Sequence, residues 1–114
     1  MNNEYYPDSW VILKIQNDNE TIYKTLCGWS GGYTTGDSWR MNSGIVAVEK
    51  QANLYGFYGS SGSVYWCHQG AYRLTMATSG VYNSLKEQFG DAVELMPEDT
   101  DWMNVEGLNN DTTH

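Results

Sequence analysis

Two arginines stand beside aromatic residues, and they are the most chemically suggestive feature of this sequence. Arg40 follows Trp39 at the end of a glycine-rich stretch, GWSGGYTTGDSWR (28–40). Arg73 follows Tyr72, after His68-Gln69-Gly70. A guanidinium next to an aromatic ring can stack on its face or offer a planar fork to a carboxylate or phosphate. The simpler reading is an internal ion pair, with Asp37 or Glu49 as the acid. The surroundings are rich in rings: five Trp, nine Tyr and two Phe occur in 114 residues. Trp and Tyr bring large, rigid contact area with a polar tip. Their neighbours here are Gly, Ser, Thr and Asn, which supply adaptable hydrogen bonding, and this mixture characterises recognition surfaces. Against that, a small β-domain uses aromatics for its core and for cross-strand pairs. A body of this size has little room for so many rings, which predicts an exposed platform. Its expected members are Trp29, Tyr33, Trp39, Tyr58 and Trp66, with Arg40 and Arg73 as directional charges.

Other chemistry is less well supported. The loops 28–36 and 59–63 are glycine-rich and could offer consecutive backbone N–H groups to an anion. Neither matches GxxxxGK[ST] or a strand–GxGxxG–helix unit, and hairpin turns explain them more simply. Cys27 with Cys67-His68 could supply three zinc ligands, but no CxxC or HxxxH spacing supports a metal site. The simpler reading of the two cysteines is a pair of buried small apolar residues. Asp37, Ser38 and His68 are catalytic residue types, yet no nucleophile elbow is present and a triad is defined by geometry. No cofactor, no metal and no catalytic residue is assigned from these patterns.

Charge is unevenly placed. The formal net charge is -8, but residues 1–86 hold six Lys and Arg against six Asp and Glu. The whole excess lies in residues 87–114, with eight acids and no Lys or Arg. This disfavours double-stranded DNA, whose binding needs cations to release counterions, and anionic membranes. The acidic end reads as a solvated tail, or as a docking patch for a basic partner.

The elements that must position these residues are mostly strands. Residues 10–16 and 21–27 alternate around an Asn-Asp-Asn-Glu turn and predict a hairpin. A second hairpin is predicted from 45–50 and 54–59, followed by a short strand at 64–67. Residues 71–77 are a further candidate strand, and AVELM (92–96) a last one. A helix is expected over 80–89, with Ser79 as N-cap and Gly90 as its terminating glycine. The fold class is therefore α+β, mainly β. It is expected to be an antiparallel sheet of five or six strands, or a small curled barrel, with one helix packed on it. Residues 1–104 are expected to form a single domain and 105–114 a flexible acidic tail.

GWSGGYTTGDSWRMNSGI (28–45), YGFYGSSGSVYWCH (55–68) and VELMPEDTDWMN (93–104) together resemble small uncharacterised proteins of contractile-tailed bacteriophages, notably those of cyanobacteria. The resemblance runs from about Trp10 to Asn104, carries no known activity and transfers no catalytic residue. It implies expression inside an infected bacterium. The N-terminal residues show no basic region followed by an apolar run, which predicts no signal peptide and a cytoplasmic location. The expected function is non-enzymatic recognition of a host protein, altering host function or defence. Alternatives are a sponge for a nucleotide-like small molecule, glycan binding, and a virion assembly role in which the chain forms a homo-oligomer.

Overall fold

Eight strands and one helix organise residues 3–29 and 38–105, which the computed structural model of the chain describes. The strands are β1 (Asn3–Tyr5), β2 (Ser9–Asn17), β3 (Glu20–Trp29), β4 (Ser38–Met41), β5 (Ile45–Gln51), β6 (Leu54–Gly59), β7 (Ser63–His68) and β8 (Val93–Leu95). The helix α1 spans Met76–Phe89 and runs into a single 3-10 turn, Gly90–Ala92. One sheet has the order β4-β3-β2-β8 and the other β1-β7-β6-β5. The mainly β, one-helix class is as the sequence predicts. The five or six strands expected in one sheet or curled barrel are instead shared between two open four-stranded sheets.

The β2–β3 and β5–β6 hairpins follow directly from period-two alternation and local turn chemistry. Asp18 and Ala52 occupy the turns with φ of 54° and 52°. Asp tolerates this left-handed geometry well, and Ala does so less readily. Strand β2 is buried on both faces, because its sheet lies between the other sheet and the helix. Trp10 and Ile12 point into the inter-sheet layer, whereas Val11, Leu13 and Ile15 point towards α1. The two layers differ in chemistry. Between the sheets lie Trp10, Tyr23, Phe57, Tyr65 and Trp102 together with both cysteines. Under the helix the packing is largely aliphatic, with Leu26, Leu74, Val81 and Leu85 around the β2 residues.

Two local expectations are corrected, and one strand is additional. Helix α1 starts one turn earlier than the 80–89 expected. Thr75, not Ser79, is its N-cap, and the Thr75 and Thr78 side chains each take up the other residue's backbone N–H. Residues 71–75 add no strand. Their backbone brackets β2 instead, Trp10 N donating to Ala71 O and Arg73 N to Trp10 O. Strand β1 pairs with β7 in parallel, a long-range partnership that three residues before a proline do not announce. At the other end, Trp102 is 2% exposed and packs against Trp10, Phe57 and Tyr72. Val105 also packs against this core. No helix among the described residues is long and apolar enough to cross a membrane.

Candidate recognition surface

The rings expected on the surface are mostly covered: Trp66 is buried, Trp29 and Tyr58 are half-buried, and Trp39 is exposed. Of the described aromatics, only Tyr6, Trp39 and Phe89 are exposed. The expected seven-residue platform is divided among separate places, and Tyr33 lies outside the described residues.

The first place is the edge where β1 meets β3 and β4. Register pairs Arg40 with Cys27, and Ser38 with Trp29, so Arg40 projects on the inter-sheet side of its strand. Its guanidinium lies 4.6 Å from the centre of the Tyr5 ring. Tyr5 stacks on Tyr65 at 5.0 Å and 20°, and meets Trp29 edge-on at 6.3 Å. Arg40 also lies near the Tyr65 phenol. Burial pushes the Tyr65 phenol up and Arg40 partly opposes the shift. The Trp29 indole N–H donates to Tyr6 O at 3.0 Å, which ties the end of β3 to the segment after β1. Asn42 anchors the end of β4: its side-chain oxygen accepts from Thr25 N at 3.0 Å and its backbone N–H donates to Thr25 O at 3.1 Å. Trp29 and Arg40 are thus brought together, and Tyr5 and Tyr65 join them without having been singled out in the sequence.

Trp39 faces the other way. It pairs with Gly28, on the side of the sheet that carries Thr75 and Thr78, and is 49% exposed. Among the described residues none accepts a hydrogen bond from its indole. β4 is the outermost strand of its sheet among the described residues, and Ser38, Trp39 and Arg40 are all exposed along it. Tyr6, 57% exposed, lies beside the same edge.

The second place is the outer face of the β1-β7-β6-β5 sheet, which holds Tyr58 and Trp66. Their rings meet edge-on at 6.3 Å. Trp66 is only 8% exposed because its indole lies flat over Gly56, where a Cβ would come within 2.5 Å of the ring. Both polar tips are taken by carboxylates: Trp66 Nε1 donates to Glu4 Oε1 at 3.0 Å and the Tyr58 hydroxyl to Glu49 Oε1 at 2.6 Å. The Glu49 bond pushes the Tyr58 phenol up to about 12 and, with Gln51, holds the Glu49 carboxyl below its usual range. Glu49 is therefore engaged by Tyr58 and Gln51, not by an arginine.

Arg73 occupies a third place, exposed on the segment leading to α1. The remaining candidates do not converge. His68 sits on the opposite face of β7 from Cys67, so it does not join the two cysteines. Asp37 and most of the loop 28–36 lie outside the described residues. In the 59–63 turn the N–H groups of Ser60, Ser61 and Gly62 are taken by Gly44 O, Ser43 Oγ and Gly59 O, so they do not form a free anion nest. The described residues enclose cavities of about 220 Å³ and about 330 Å³. The first is lined by Tyr23, Ser43, Ile45 and their neighbours, the second by Ile15, Met41, Leu85 and theirs. None of the six described candidates lines either.

Known proteins add no guidance: no family model, no curated protein and no solved structure matches this chain.

Proposed function

We propose that this protein is a phage-encoded, non-enzymatic recognition module that binds a protein of the bacterial host through the β4 edge and the adjoining Tyr5–Arg40 cluster. One observation carries the reading: an outer strand exposes Ser38, Trp39 and Arg40 in succession, with an arginine held beside a ring. An outer strand offers backbone N–H and C=O groups to an extended partner segment, and side chains on its two faces supply specificity. Trp39 would give one face its apolar anchor. Arg40 would give the other a permanent charge, already oriented by Tyr5 and Tyr65, for a partner carboxylate. A nucleotide sponge fits less well, because the Tyr5 ring beside Arg40 already makes its contacts within the protein and neither cavity includes an arginine.

The test is capture from bacterial lysate on immobilised protein, with the bound set compared between variants. A host protein retained by the wild type and by Arg73→Ala, and lost with Arg40→Ala and with Trp39→Ala, supports the reading. Equal retention by all of these contradicts it. A second copy of the chain as sole partner, seen as a concentration-dependent dimer in gel filtration, would replace host recognition with assembly.

A further inference from the structure

The only two cysteines of the chain meet inside the sandwich. Cys27 belongs to β3 and Cys67 to β7, so each comes from a different sheet. Both are fully buried and free, and both lie in the cluster with Trp10, Phe57 and Tyr65. The two thiols are neighbours that act on each other electrostatically, and the Cys67 thiol donates to Tyr65 O at 3.6 Å. Burial and this neighbour hold the Cys67 thiol well above its ordinary range. Neighbouring thiols in one buried cluster, carried by strands that share no ladder, are placed to link the sheets covalently.

We propose that Cys27 and Cys67 are an oxidation site that closes into an intramolecular disulfide joining the two sheets, with hydrogen peroxide as the oxidant. One thiol loses its proton and its sulfur attacks a peroxide oxygen. The O–O bond breaks, and the departing hydroxide takes up that proton as water. The resulting sulfenic acid is attacked by the second sulfur. The S–O bond breaks, the S–S bond forms, and the hydroxyl leaves as a second water with the second thiol's proton. The two sulfurs together lose two electrons and the peroxide gains them. Enclosure keeps the thiolate scarce, so the reaction is slow in the folded chain. The link would sit directly behind the recognition edge. Cys27 is the register partner of Arg40, and Cys67 is two residues from Tyr65, on which Tyr5 stacks.

The experiment uses the full chain, reduced and then incubated with hydrogen peroxide, quenched, unfolded and treated with iodoacetamide. Intact mass is expected to show a monomer that has lost two hydrogens and takes up no alkyl group. The cross-link closes a loop of about 40 residues, so Tm should rise by about 10 °C and fall back on adding dithiothreitol. Cys67→Ser should show neither change. Two free alkylatable thiols, oxygen added without cross-linking, or a dimer joined between chains would each overturn the proposal. A second arm bypasses slow access. The chain is oxidised while unfolded and dilute, then refolded. It should melt above the reduced protein, and melting below it would show that the sheets do not accept the bond.

Discussion

Trp10 and Trp39 are the same residue type in two regions that use it in opposite ways. Trp10 is 1% exposed, and its indole N–H donates to His68 O at 2.7 Å. Tyr72, Phe57 and Trp102 surround it at centroid distances of 4.7, 5.4 and 5.8 Å. Trp39 is half exposed on a four-residue outer strand. The contrast shows that aromatic abundance does not by itself make a recognition surface. Two facing sheets consume most of the rings, and what distinguishes the remainder is where a short edge leaves them. Trp66 marks the border between the two uses, since it lies on an outer face yet is covered and hydrogen bonded.

Substitutions can break or sharpen this contrast. The largest effect is expected from Trp10→Ala, which empties the centre of the inter-sheet layer. Loss of a core Trp costs about 3–5 kcal/mol, measurable as a lower midpoint in urea. Gly56→Ala is next, because the new methyl collides with the Trp66 ring. Overpacking of this kind costs about 1–3 kcal/mol, and displacement of the indole should appear as a change in Trp fluorescence.

A pH titration probes the same layer. The Tyr72 hydroxyl donates to Met96 O at 2.5 Å and accepts from Ile12 N at 3.1 Å. Burial, with Glu98 nearby, pushes its phenol up to about 12 from an ordinary 10.0, although the Ile12 N–H partly opposes the shift. The unfolded chain therefore gives up this proton first as pH rises. The stabilisation is whole below about pH 10 and is lost towards pH 12, by about 1–2 kcal/mol. Tyr72→Phe should show a correspondingly shallower alkaline decline in Tm. The smallest effect is expected from Trp39→Ala, within about 0.5 kcal/mol of wild type in urea, while binding is lost. A stability cost as large as that of Trp10→Ala would place Trp39 in the core and erase the distinction.

Much of the fold could be read locally. Residues 10–27 and 45–59 show period-two alternation interrupted by turn residues, and both form the expected hairpins. Strand β1 escaped because its pairing spans some sixty positions and leaves no local pattern. The start of α1 escaped because two threonine hydroxyls do the capping and Gly80 interrupts the periodicity. The candidate site was half legible. Arg40 was recognisable as a stacking residue, but its ring is Tyr5 and not the adjacent Trp39. Once residues 38–41 are a strand, neighbours must point to opposite faces. Tyr5 and Tyr65 were invisible as site residues for the same reason as β1.

The most direct test of the proposed recognition edge is hydrogen–deuterium exchange of the protein alone and with the captured partner bound. Slower exchange confined to residues 38–41 and 3–6, with 54–58 and 63–68 unchanged, is the expected result. Protection of the Tyr58–Trp66 face instead, with 38–41 exchanging as in the free protein, would contradict it.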